Sequence, residues 1–247
     1  MAKINLETEL PKVIEWVRKT VGGCNVVIGI SGGKDSSVVA ALCVKALGKD
    51  KVFGVMMPNR VQDDIDKSEL LIKTLGIKSA RINIGDTVDA LTKDTCESMG
   101  IEKKDLNLLF TSNTPARIRM TTLYGVAAII GNSRVANTCN LSEDYVGYST
   151  KFGDAAGDFS PLSRFTASEV VAIGDMLGLP YELSHKVPSD GMCGQTDEDR
   201  FGFTYAELDA YLREGIKPSP EKLEKIERMH RAGLHKLLPM PCYEIEE

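Results

Sequence analysis

The chain has 247 residues, 43% of them hydrophobic and 26% charged, with a formal net charge of −5. That is enough apolar material for a sizeable core, and the acidic balance argues against a general nucleic-acid surface. No uncharged apolar run reaches the roughly 20 residues that a bilayer span needs, so no membrane role is expected. The six cysteines (Cys24, Cys43, Cys96, Cys139, Cys193 and Cys242) form no Cys-x-x-Cys pair and no secretory signal is read before them, so reduced thiols in a cytoplasmic protein are expected.

Leu6, Leu10, Val13, Ile14 and Val17 recur at helical spacing and predict an amphipathic helix over 5–20. An apolar run predicts a first strand over 25–30. A glycine-rich turn follows, then a helix over 36–47 stopped by Gly48. Residues 51–57 read as a second strand, 63–75 as a charged helix and 79–84 as a third strand. This β-α-β-α-β order implies an α/β fold, a doubly wound parallel sheet with helices on both faces. Ligands of such sheets bind at the carboxyl ends of the strands, which places 31–36 and 56–60 on one rim. Residues 85–112 read as less regular, with Leu106, Leu108, Leu109 and Phe110 as candidate core. Residues 113–120 open a long apolar helix through Ile130. Residues 134–137 read as a fourth strand, with 138–143 as the loop on its carboxyl end. Two polar, glycine-rich stretches, 147–164 and 186–202, have the length of binding loops. Helices are predicted over 166–178, 204–213 and 219–232, and the last fifteen residues read as a tail. No repeat and no convincing domain boundary is visible, so one domain is expected over 1–247.

The sequence over 26–37, VVIGISGGKDSS, carries the most chemistry. Strand, tight turn and helix start aim backbone N–H groups at an anion, and the helix end adds partial positive charge. Gly32 and Gly33 let a phosphate approach the backbone. Ser31, Ser36 and Ser37 add hydroxyls. The plain alternative is an ordinary α/β turn. Asp35 weighs against it, because an acidic group in a phosphate turn calls for a cation such as Mg²⁺ between carboxylate and polyphosphate. The spacing fits neither a Walker A loop nor a Rossmann fingerprint.

Glu143, beyond the fourth strand, is a second carboxylate for such a metal site. Arg117, just after Pro115, suits bidentate binding of a carboxylate or phosphate. Arg119, two residues on, points elsewhere on a helix. Lys151, Asp154 and Asp158 lie in a loop of small residues, where an aspartate suits ribose hydroxyls. His185 and His230 read as unremarkable, the latter on a solvated helix face. His235 and Lys236 fall in the expected tail.

The stretch SGGKDS at 31–36 resembles the pyrophosphate loop of the N-type ATP pyrophosphatases. With NTPARIRM (113–120), TCNLSE (138–143), GYSTKFGDAAGD (147–158), PL (161–162), LGLP (177–180), KVPSDG (186–191) and GQTDEDRFGFTY (194–205), the chain resembles the ammonia-dependent NAD synthetases over nearly its whole length. The resemblance implies an adenine nucleotide alpha hydrolase-like fold without a glutaminase domain, and a homodimer. It implies a ligase that activates deamido-NAD with ATP as an adenylate, releases pyrophosphate, and lets ammonia displace AMP. By matching position, Gly29, Ile30, Ser31, Gly32, Gly33, Lys34, Asp35, Ser36, Thr138 and Ser189 would contact ATP. Asp35 and Glu143 would hold Mg²⁺. Arg117, Lys151, Asp158, His235 and Lys236 would contact deamido-NAD, and Asp35, Glu143 and Lys151 would carry the catalysis.

The pattern leaves the position of Lys34 free, which makes it the least essential residue of the loop. Two departures stand out. Asn137 replaces a glycine and is expected to reshape the adenine side. Ala167 replaces a lysine on ATP phosphate, with Arg164 as the neighbouring charge. The alternatives are another adenylating ATP pyrophosphatase, such as an amidotransferase subunit or a tRNA-thiolating enzyme, or a nucleotide-binding regulator without catalysis.

Overall fold

The computed structural model describes residues 3–186 and 197–244. Helix α1 (Leu6–Val21) precedes strand β1 (Asn25–Gly29), helix α2 (Lys34–Leu47), strand β2 (Val52–Met56), helix α3 (Ile65–Leu75) and strand β3 (Lys78–Arg81). Helices α4 (Gly85–Met99) and α5 (Leu108–Ile130) lead to strand β4 (Ser133–Val135). Among the described residues there follow α6 (Leu141–Tyr145), α7 (Ala167–Met176), α8 (Tyr181–Ser184), α9 (Asp197–Phe201), α10 (Tyr205–Glu214) and α11 (Pro220–Leu237).

The four strands are parallel, in the order β3-β2-β1-β4. Strand order reverses beside β1, so β1 and β4 flank the switch point where ligands of open α/β sheets bind. The central strand is buried on both faces, and its side chains alternate between them. Val26, Ile28 and Ile30 enter a core with α1, α2 and α7. Val27 enters a second core with Val55, Val135 and the α5 residues Met120, Leu123 and Ala127. A third apolar cluster joins Leu141 and Val146 to Phe201, Phe203, Tyr205, Leu208, Leu212 and Ile226, and so carries α6, α10 and α11. No helix among the described residues is long and apolar enough to cross a membrane.

Three sequence expectations change. Residues 85–112 are not irregular: they contain α4 and the first turns of α5. Only Gly85, Thr92 and Cys96 of α4 are buried, too weak an apolar stripe to announce a helix. Helix α5 begins well before Pro115, with Asn107 accepting the Phe110 amide as its cap, and Leu108 and Leu109 are exposed rather than core. Helix α11 runs to Leu237, so His235 and Lys236 sit on a helix and not in a tail.

Gly54 shows how tightly β2 is packed. A Cβ there would lie 2.5 Å from Ile72 Cδ1 and 3.0 Å from Ile30 Cγ1. Overpacking of this kind costs about 1–3 kcal/mol, so Gly54→Val should lower the urea midpoint by that much stability without changing the far-ultraviolet circular dichroism.

Candidate active site

The glycine-rich loop leaves β1 as the strand ladder ends, with the Ile30 amide still donating to Val55 O at 2.9 Å. Gly32 takes φ +77°, and a Cβ there would lie 3.0–3.2 Å from Lys67 Cβ, Ser68 Oγ and Asp64 O. A side chain at Gly32 is thus disfavoured by both conformation and the close approach of α3. Gly33 has ordinary φ and caps α2 without any side-chain hydrogen bond, so no side-chain cap covers the first amides of α2. The loop's hydroxyls brace it internally: Ser31 Oγ and Ser36 Oγ lie 3.1 Å apart, Ser36 Oγ donates to Gly33 O at 3.1 Å and Ser37 Oγ donates to the same carbonyl at 2.8 Å.

Asp35 lies in the first turn of α2. Its Oδ1 accepts Asn140 Nδ2 at 2.8 Å and its Oδ2 accepts Lys34 Nζ at 2.7 Å. Asn140 is fully buried and is the N-cap of α6. Its Oδ1 accepts the amides of Ser142 (3.0 Å) and Glu143 (3.1 Å), and its own amide donates to Glu143 Oε2 at 3.4 Å. One asparagine therefore holds both predicted metal carboxylates. Sequence reading passed over Asn140, although an Asn three positions before a Glu is a capping-box signal. Thr138, half-buried at the carboxyl end of β4, leads into this cap. Ser189 lies outside the described residues.

The oxygen-rich pair suits a hard cation. No group of three or more His, Cys, Asp or Glu side chains suited to a metal occurs among the described residues. Two carboxylates beside a helix N-terminus fit Mg²⁺ brought in on substrate phosphates better than a resident all-protein site.

A second group of predicted residues gathers on the loop at 147–158. Arg117 Nε donates to Lys151 O at 3.2 Å, and Lys151 Nζ donates to His235 O at 2.6 Å. Lys236 Nζ donates to Gly147 O (2.6 Å) and Ser149 O (2.8 Å), so it clamps the loop. Asp158 is set apart: its Oδ2 accepts the Val135 amide at 2.7 Å and its Oδ1 accepts Tyr124 Oη–H at 3.2 Å. Tyr124 was not foreseen. Its hydroxyl pKa is raised by burial and by the Asp158 charge.

Asn137, the residue expected to bear on the adenine side, is fully engaged within the chain. Its Nδ2 donates to Asp154 O (2.7 Å) and Ala156 O (2.9 Å), and its Oδ1 accepts Cys139 N (2.9 Å) and Ser160 Oγ (3.0 Å). It pins the loop to the end of β4. A Cβ on Gly157 would lie 2.8 Å from Asn137 Cβ, which explains the small residue there. Ala167 is buried, its amide donating to Ser142 Oγ at 3.0 Å, while Arg164 is exposed. Arg119 and Arg117 diverge as expected: Arg119 Nε donates to Met57 O at 3.1 Å. Burial lowers the Arg119 pKa, with the Asp154 charge opposing. Burial and the Asp154 charge push the Asp144 carboxyl up to about 6. His230 is not on a solvated face: it stacks on Tyr145 at 4.0 Å and its Nδ1 lies 2.8 Å from Tyr145 O.

The NAD synthase family profile matches residues 8–239. The chain belongs to the NAD synthase family. It is 42% identical to the NH₃-dependent NAD⁺ synthetase of Methanococcus aeolicus, over 89% of this chain and 86% of that one. The NMN synthetase of Francisella tularensis superposes with a TM-score of 0.87 at 33% identity, covering 98% of this chain and all of that one. The NH₃-dependent NAD synthetase of Campylobacter jejuni, in complex with nitrate, gives 0.77 at 27% identity, with 98% and 100% covered. The fold is the adenine nucleotide alpha hydrolase-like fold of these synthetases, and the family's enzymes are ligases that form a C–N bond.

Two outcomes follow from the geometry. Asn140→Ala removes an N-cap worth about 0.5–2 kcal/mol and the donor on Asp35 Oδ1, so activity should fall by roughly 10- to 100-fold, the usual penalty for losing the partner that orients a ligating side chain. Gly233 packs backbone to backbone on Gly147, and a Cβ on Gly233 would lie 2.6 Å from Gly147 Cα. Gly233→Val should cost about 1–3 kcal/mol in chemical denaturation and raise KM for the acceptor, because α11 carries His235 and Lys236.

Proposed function

We propose that the chain uses ATP to amidate the nicotinate carboxylate of deamido-NAD with ammonia, giving NAD⁺, AMP and pyrophosphate. The observation that carries this reading is Asn140 holding Asp35 and Glu143 together beside the N-terminus of α2. In the reaction, a carboxylate oxygen of the acceptor attacks the α-phosphorus. The bond from that phosphorus to the bridging oxygen breaks, and pyrophosphate leaves. Ammonia then attacks the acyl carbon, AMP departs with the former carboxylate oxygen, and the ammonium formed loses its proton.

The chain's part is positioning and charge stabilisation. Amides at Gly32–Lys34 and the start of α2 receive the phosphates, with Ser31, Ser36 and Thr138 alongside. Asp35 and Glu143 hold Mg²⁺, which when bound neutralises charge on the triphosphate. Arg117, Lys151, Asp158, His235 and Lys236 present the acceptor, with Lys236 acting through the loop it clamps. Helix α5 exposes Leu108, Leu109 and Ile129, the last at 87%, and this apolar surface supports a homodimer built on that helix. A single synthetase domain over these residues accords with the span of the family match, 8–239. A cytoplasmic location accords with five free cysteines among the described residues.

A second reading keeps the chemistry and shortens the acceptor to nicotinate mononucleotide. It is favoured by the higher TM-score of the NMN synthetase, 0.87 against 0.77. Parallel assays with ATP, Mg²⁺, ammonium and either acceptor separate the two. The expected outcome is AMP and pyrophosphate in step with the amide, with the larger kcat/KM on deamido-NAD. A larger value on the mononucleotide would establish the second reading, and ADP in place of AMP would remove both. Asp35→Asn should lower adenylation by at least about 100-fold in protein that remains folded by circular dichroism.

A further inference from the structure

Lys34 was expected to matter least in the loop, yet it is the more enclosed of the two charged residues there. Its side chain is 5% exposed against 19% for Asp35. Lysine is almost never buried to this degree unless paired, and its position in the first turn of α2 sets a positive charge against the positive end of the helix dipole. Residues i and i+1 of a helix do not face one another, so the 2.7 Å contact between Lys34 Nζ and Asp35 Oδ2 is not a default of helical geometry. A third element fixes the ammonium: it stands 5.9 Å from the ring centroid of Tyr205, the first residue of α10. The two oxygens of Asp35 thus have different partners. Oδ1 is held by Asn140, which is locked into the cap of α6. Oδ2 is held by an ammonium on a four-carbon stem with several rotatable bonds.

We propose that the Lys34 ammonium is a tethered cation on Asp35 Oδ2 that is exchanged for the divalent metal when metal–ATP enters, after which it turns onto the incoming triphosphate. The proposal rests on the reading of Asp35 as a metal ligand. Like charges repel, so a divalent cation and the ammonium do not share one carboxylate oxygen at contact distance. Before substrate arrives, the ammonium neutralises a carboxylate that would otherwise repel phosphate. Once the metal takes Oδ2, the displaced ammonium stands next to the anion that brought the metal in. The exchange makes metal binding depend on nucleotide.

Mn²⁺ serves as the probe, titrated by electron paramagnetic resonance into the full chain with and without α,β-methylene-ATP. The unmodified protein should bind Mn²⁺ weakly alone and more tightly with the nucleotide. Lys34→Met, which keeps the apolar stem over Tyr205, should bind Mn²⁺ alone at least about fivefold tighter, as expected when a neighbouring like charge is removed. Its affinity for metal-free α,β-methylene-ATP should fall. Lys34→Arg should stay close to the unmodified protein. Lys34→Gln provides the same neutralisation should the methionine variant not fold. In the unmodified protein, the ammonium resonance of Lys34 should shift on addition of metal with nucleotide. Folded neutral variants whose Mn²⁺ affinity is unchanged or weaker would overturn the exchange while leaving the metal site intact. Loss of Mn²⁺ binding in Asp35→Asn is expected. Mn²⁺ binding that is indifferent to Asp35→Asn would remove the metal reading itself, and the exchange with it.

Discussion

The site depends on one buried side chain, Asn140. It caps a five-residue helix too short to be stable alone, and its amide nitrogen reaches across to Asp35 on α2. Both duties follow from the chemistry of a carboxamide, which accepts at one end and donates at the other. An aspartate in its place would also cap α6, but it would set a carboxylate against Asp35. A serine would cap without reaching. The residue that folds α6 therefore also sets the separation of the two acids.

The acceptor-side residues are held by a different device. Polar contacts tie down the loop at 147–158. Asn137 binds it from β4, Asn113 receives Thr150 Oγ1–H at 2.9 Å, and Lys236 donates to two of its carbonyls. Gly147 and Gly233 let α11 approach at backbone contact. Small residues here serve close approach, and the two lysines that appear from the sequence to await a ligand are partly spent on main-chain carbonyls.

The central α/β alternation was legible because β1 and β2 are short apolar runs bounded by glycine and proline, and α1 and α3 carry clear stripes. Helix α4 was missed because its face is nearly all polar. The start of α5 was missed because Pro115 suggests a helix beginning, whereas here it lies inside a helix begun by Asn107. The contacts of Asn137 and Lys34 were not legible, for a shared reason. Each was judged by its distance from a pattern, while its contacts come from elements far along the chain.

By itself the sequence determined that strand, glycine turn and helix would follow one another, that Asp35 would fall where that helix begins, and that Glu143 would stand on the same rim. Those are local consequences of backbone conformation and charge. Only the tertiary structure decided that Asn140 joins the two acids, that Lys34 is folded inward beneath Tyr205, and that Lys236 clamps a loop. Such contacts depend on how α6, α10 and α11 pack around one apolar cluster, and packing between distant segments is not encoded in any single stretch.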